Sequence, residues 1–166
     1  MKLVFHVIKE VIIIQRSKFN VDKDKSKRTY NNIVFDSLLE MKFYRDFILP
    51  KMESGDIVDC KLQIPYQLQE KFIHDGKTVL PIQYVADFVA KYKNNHTIVY
   101  DTKGQPDSVA LLKRKLFWYK YPDVDYQWIS YCAKDGGWIS YDQLKKNRNQ
   151  RKKEKQSKLN KWMLDS

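Results

Sequence analysis

Apolar positions along the chain follow two different periods. In residues 37–53, SLLEMKFYRDFILPKME, Leu39, Phe43, Phe47 and Ile48 recur at helical spacing. Ser37 with Glu40 three places on matches a capping box, so the pattern predicts a helix that starts there. Pro50 is expected to kink or end it, because proline lacks an N–H and crowds the preceding turn. Ser54-Gly55 should stop it. Period-two patterning then predicts strands over 57–62, 66–72, 82–91 and 97–101, with turns at His74-Asp75-Gly76 and Lys93-Asn94-Asn95. Pro106 and Asp107 open a second helix that presents Val109, Leu112, Leu116 and Tyr119 on one face and ends before Pro122. A last strand over 126–131 is bounded by Asp135-Gly136-Gly137. The order is helix, three or four antiparallel strands, helix, strand. It predicts a mixed α/β fold, a small central sheet flanked by helices.

The two ends carry different patterns. Residues 1–14 look apolar, but Lys9 and Glu10 interrupt the run. It is too short to span a bilayer and has no small-residue cleavage site, so an additional strand or helix is expected rather than a signal or a membrane anchor. Residues 15–29 are polar and charged, a solvated connector. The pattern divides the chain into an N-terminal extension and linker (1–29), a folded domain (30–142) and a tail (143–166).

Charge sharpens that division. The 166 residues hold 31 Lys and Arg against 20 Asp and Glu, a net +11. Nine basic residues and one acid lie between Lys145 and Lys161, which leaves the rest of the chain at only +3. Such a concentrated excess points to a polyanion, nucleic acid before an anionic membrane surface. With 43% hydrophobic and 14% aromatic residues the chain can still bury a core. None of the 5 glycines forms a phosphate-binding or dinucleotide-binding loop, which excludes those enzyme classes. Cys60 and Cys132 share no metal-ligand spacing, and His6, His74 and His96 are scattered, so a zinc site has no visible parts. Two isolated cysteines fit a reducing cytoplasm.

The chemistry centres on Asp87, inside YVADF, and on Asp101 and Lys103 in DTKG. Asp101 and Lys103 share a strand face. A two-residue loop at Asn94-Asn95 pairs position 87 with 102 and sends the carboxylates to opposite faces. A three-residue loop, Lys93 to Asn95, pairs 87 with 101 and sets them side by side; asparagine in a left-handed conformation suits it. Two facing carboxylates repel unless a cation lies between them. Few hard oxygen ligands suit Mg²⁺ or Mn²⁺. Such an ion activates water and offsets charge on a phosphoryl oxygen, with Lys103 placed to hold the water or the phosphate.

Asp87, the thirteen residues that follow and Asp101-Thr102-Lys103 resemble the PD-(D/E)XK nuclease signature, with Ala86 in place of the proline. FDSLLEMKFY, LQIPYQL, YVADF, DTKG and LLKRKLFWYKYP together resemble a family of small, largely uncharacterised phage proteins assigned to that fold. The resemblance spans residues 30–122. It implies a restriction-endonuclease-like core and a metal-dependent DNA endonuclease that leaves a 5′-phosphate. Asp87 and Asp101 would hold Mg²⁺ or Mn²⁺, with Glu40 helping, the Thr102 carbonyl as a further ligand and Gln63 in support. Lys103 would position or activate the water. A phage role in recombination, replication or packaging, on branched or single-stranded DNA among other forms, goes with it, in the host cytoplasm.

Each residue also has a simpler explanation. Glu40 closes a capping box, Asp101 ends a strand, and Gln63 satisfies backbone groups. Trp118, Tyr119, Tyr121 and Trp128 are expected in the core. Lys113, Arg114 and Lys115 on the second helix, and Lys145, Lys146, Arg148, Arg151, Lys152 and Lys153 in the tail, are the candidate phosphate contacts. The alternative is a binding or inhibitory protein of the same fold without turnover. A homodimer or a phage protein partner is left open by the sequence.

Overall fold

A computed structural model describes residues 24–165. The expected element in residues 1–14 and most of the connector lie outside them. A 3₁₀ turn over Lys25–Arg28 leads into a two-residue hairpin of β1 (Thr29–Tyr30) and β2 (Ile33–Val34). The first helix begins where its capping box says: α1 (Leu38–Phe43) has Ser37 as N-cap, and the Ser37 hydroxyl accepts the Glu40 N–H at 3.1 Å. It does not end at Pro50. A wider π turn over Tyr44–Ile48 leads without a break into α2 (Leu49–Glu53), so the helical run is widened just before Pro50, where the ring would crowd a regular turn. Gly55, with φ 76, closes the segment.

The two strands expected over 57–62 and 66–72 are one, β3 (Ile57–Gln69), which runs through Pro65. It lies at the edge of the sheet, where a proline deprives no second neighbour of a hydrogen bond. A separate ribbon, β4 (Phe72–His74) and β5 (Lys77–Val79), turns at Asp75-Gly76. Then follow β6 (Ile82–Tyr92), β7 (Thr97–Thr102), α3 (Ser108–Lys120), β8 (Asp125–Cys132), β9 (Gly137–Ser140) and α4 (Tyr141–Asp165). The five-stranded sheet has the order β3-β6-β7-β8-β9. All neighbours are antiparallel except β7 and β8, which are parallel because α3 carries the chain back across the sheet. The fold is therefore mixed α/β, with helices on both faces of a mixed sheet.

Two apolar clusters occupy those faces. The first joins Phe43, Tyr44 and Ile48 to Phe88, Ala90 and Tyr100; the second joins Phe117 of α3 to Tyr84, Val99, Tyr126 and Trp128. Gln63 marks a reversal between them. Its backbone is left-handed in mid-strand, with φ 54. On one side of it Cys60, Leu62, Phe88 and Ala90 pack with the first cluster; on the other, Tyr66, Leu68, Tyr84 and Ala86 pack with the second.

Of the apolar face expected on α3, Leu116 packs on the second cluster and the rest points outward. Val109, Leu112 and Tyr119 are exposed, Tyr119 by 88%, and Trp118 is half-exposed. Arg114 and Phe117 are the buried residues of this helix, so its register is set by what packs on Trp128 rather than by its most regular apolar stripe. The tail is helical from Tyr141, and Leu144 is buried, so the start of α4 is part of the domain. Among the described residues no helix is long and apolar enough to cross a membrane.

Candidate active site

The β6–β7 turn decides whether the two aspartates meet. Phe88 pairs with Tyr100, Val89 with Val99 and Lys91 with Thr97. The Tyr92 N–H donates to the His96 carbonyl at 2.8 Å, so the loop is three residues long. Asn95 closes it in the left-handed region, with φ 67, which asparagine tolerates better than most residues. The ladder stops at Phe88 and Tyr100; one step beyond, the same register brings Asp87 to Asp101, and there the Asp87 side chain takes the Thr102 N–H. Alternation breaks in β6 at this point, since Ala86 packs with the second cluster and Phe88 with the first, yet the Asp87 carboxyl lies beside that of Asp101, close enough to perturb it.

Both carboxyls are buried. Asp87 accepts the Thr102 N–H at 2.8 Å and the Thr102 hydroxyl at 2.9 Å, both on Oδ2. Two donors on one oxygen fix that carboxylate against rotation. Asp101 is 1% exposed; its Oδ2 meets Lys103 Nζ at 2.6 Å and accepts the Tyr126 hydroxyl at 3.5 Å. Trp128 Nε1 in turn donates to the Tyr126 oxygen, and Lys103 Nζ lies 5.4 Å from the Trp128 ring centre. Burial, and then the facing Asp87, push the Asp101 carboxyl up to about 7, against the pull of Lys103. Tyr84 faces the same pair. Its hydroxyl is buried, and burial, then Asp101, push its pKa well above the ordinary phenol value.

Glu40 is 1% exposed on α1. Its Oε1 accepts the Ser37 hydroxyl at 3.0 Å, and its Oε2 accepts the Asp36 N–H at 3.2 Å and the Gln63 amide at 3.4 Å. Helix capping and a link to Gln63 are thus combined in one side chain. Gln63 stands opposite Asp87, between the pairs Leu62–Phe88 and Ile64–Ala86. Among the described residues no three His, Cys, Asp or Glu side chains gather closely enough to ligate one ion, so Glu40 is not clustered with the two aspartates. The left-handed Gln63 backbone carries a local strain of about 1 kcal/mol. Gln63→Gly should therefore resist denaturant better than Gln63→Ala by about that amount, since both lose the amide and only glycine loses the strain. Equal denaturation midpoints would show that the strand reversal stores no strain there.

Several expected roles change in the structure. Arg114 cannot serve as a phosphate contact: it is buried, bonded through both terminal nitrogens to Asp142, and lies 4.4 Å from each of the Trp118 and Trp128 ring centres. Lys113 Nζ donates to the Gln83 carbonyl at 2.7 Å. Lys115 is exposed. Arg151 is committed to Asp135 at 2.6 and 3.1 Å. Lys145, Lys146, Arg148, Lys152 and Lys153 are exposed on α4. Trp128 is core, as expected; Trp118 and Tyr119 are not. Thr102 acts through its N–H and hydroxyl on Asp87, a role that the expectation of a carbonyl ligand did not include.

Tyr126 and Tyr84 are site residues that the sequence reading missed. A helix between two strands implies a parallel neighbour for β7. That pairing sets Val99 beside Tyr126 and Asp101 beside Trp128, and so could have singled out Tyr126. No curated protein matches the chain. Over residues 16–137, which is most of its length, the chain matches the family described as a protein of unknown function (DUF1064), and it belongs to that family.

Proposed function

We propose that Asp87, Asp101 and Lys103 form the centre of a divalent-cation-dependent endonuclease that hydrolyses DNA phosphodiesters. The observation that carries it is the three-residue hairpin, which brings two buried carboxyls face to face with an ammonium group at 2.6 Å from one of them. A fold gains nothing from such a pair by itself. The donor set, hard carboxylate oxygens, fits Mg²⁺ or Mn²⁺. Asp87 and Asp101 would hold the ion, with Glu40 and Gln63 supporting their strands and the Thr102 carbonyl available beside them. A bound ion would supply Lewis acidity toward water and the phosphoryl oxygens.

The protein's own groups do the rest. Thr102 locks Asp87, and Tyr126 and Lys103 hold Asp101. Once Asp101 is engaged by a cation, Lys103, with 23% of its side chain exposed, is free to orient the attacking water at the mouth of the site. The water oxygen bonds to phosphorus, the P–O3′ bond breaks, and the 3′ oxygen leaves with a proton, giving a 5′-phosphate. The restriction-endonuclease resemblance supports this polarity, and a phage role in recombination, replication or packaging goes with it. Cys60 and Cys132, both free thiols, suit a cytoplasmic setting.

The test is incubation of the full chain with supercoiled, single-stranded and branched DNA, with and without Mg²⁺ or Mn²⁺. Cation-dependent cutting that disappears in Asp87→Ala and is strongly slowed in Lys103→Ala is the expected result. Salt-sensitive retention of DNA without cutting would make the protein a binding factor and overturn the enzymatic reading. Absence of both would favour a protein inhibitor or partner.

A further inference from the structure

We propose that one face of α4, formed by Lys145, Arg148, Lys152 and Lys155, is the track for the phosphate backbone of duplex DNA, and that it starts beside Lys103. The proposal rests on the endonuclease reading for its substrate and adds where that substrate lies.

The tail sequence makes every basic residue from 145 to 161 an equal candidate. The structure sorts them. Arg151 is taken by Asp135, and the neighbouring Asn147 donates to the same carboxylate, so that side of the helix is docked on the turn before β9. Lys146 and Lys153 lie on another side. Lys145, Arg148, Lys152 and Lys155, at spacings of three, four and three, share a face and line one shallow hollow with Tyr141, Asn149 and, along its docked edge, the Asp135-bound Arg151. All four are exposed.

Position links that face to the aspartates. The Tyr141 ring meets Trp128 edge-on at 5.7 Å, and Lys103 lies over the same indole. Asp142, the next residue, is held by Arg114, which also lies against Trp128. The first turn of α4 is therefore fixed to the floor of the candidate active site, and the basic face runs outward from it. Ten residues of helix from Lys145 to Lys155 advance about 15 Å. One strand of duplex DNA presents about one phosphate per 3.4 Å of axis, so four to five phosphates pass along that length. Four cations match them in number. Backbone contacts of this kind set the position of a duplex without reading its bases.

The experiment measures affinity for a 20-base-pair duplex against salt concentration, with divalent cations chelated so that nothing is cut. The full chain is compared with a track variant (Lys145→Ala, Arg148→Ala, Lys152→Ala, Lys155→Ala) and a matched variant on other faces (Lys146→Ala, Lys153→Ala, Lys158→Ala, Lys161→Ala). Alanine favours helix, so α4 persists in both, which circular dichroism checks. The track variant should lower the slope of log K against log salt by about 3 to 4, near 0.9 for each lost contact. The matched variant should lower it by less than half as much. Equal losses, or no loss in the track variant, overturn the proposal. So does a track variant that loses binding to phosphatidylserine vesicles while its DNA slope is unchanged. A parent chain that binds with the expected slope but never cuts leaves the track standing and removes only the catalytic reading.

Discussion

Asp101→Asn is expected to unfold at a higher temperature than the parent at pH 8 in the absence of divalent cations, and to lose DNA cutting. The amide keeps the shape of the carboxylate and removes one of two buried like charges. In the parent, burial and Asp87 raise the Asp101 carboxyl to about 7 in the fold, against 3.8 for an unperturbed group. A raised value means the folded state favours the protonated form. Its contribution is complete below about pH 4 and is lost as pH climbs through about 7. The parent should therefore lose stability over that interval from this group, and the variant should not. Removal of such a functional charge commonly gains about 1–2 kcal/mol, or several degrees in Tm. Mg²⁺ should then raise the parent's Tm and leave the variant's unchanged, because only the parent has both ligands. Loss of Lys103 acts on rate instead: Lys103→Ala should cut roughly 10²–10⁴-fold more slowly, the usual worth of a positioned proton-handling group. A parent that is the more stable of the two at pH 8 without cations would mean the aspartates do not strain the fold.

Arg114→Ala should cost about 2–3 kcal/mol and loosen the start of α4. Three contacts are lost together: the paired bonds to Asp142 and the stacking on Trp118 and on Trp128. The Asp142 side chain is 57% exposed, so solvent takes it over and the ion pair itself contributes little. Most of the loss comes from the indoles, which no longer have a partner between them. Arg114→Met, which refills the volume without the charge, should recover more than half of the stability, and Asp142→Asn should cost less than 1 kcal/mol. Denaturant melts give the energies. Limited proteolysis near residue 145 reports whether α4 has come away. If methionine is as damaging as alanine, the charge matters more than the packing.

What could be read from the chain was what neighbours in sequence settle between themselves. Ser37 and Glu40 lie three residues apart and cap a helix whatever the rest of the fold does. Asp107 caps α3 in the same way, through the Ala110 N–H at 2.7 Å. The β6–β7 turn was legible only as two alternatives, because both loop lengths suit Lys93-Asn94-Asn95. Pairing of β6 with β7 chose between them, and with that choice Asp87 and Asp101 came together. The register of α3 was misjudged for a related reason. Val109, Leu112, Leu116 and Tyr119 make a regular stripe, yet the inward face is decided by Phe117 meeting Tyr84 and Tyr126 and by Arg114 meeting Trp128.

By itself, the sequence determined the helix caps, the turns, the concentration of charge in the tail and the short list of acidic residues worth considering, since each depends on a few adjacent side chains. Tertiary structure alone decided the facing of Asp87 and Asp101, the left-handed Gln63, the Tyr126 contact and the withdrawal of Arg114 and Arg151 from the surface charge. Those depend on distant partners, 16 residues away for Arg151 and 28 for Arg114, or on other strands, whose approach is set by packing of the sheet and its two clusters. Local chemistry proposes the groups; the packed sheet determines which of them meet.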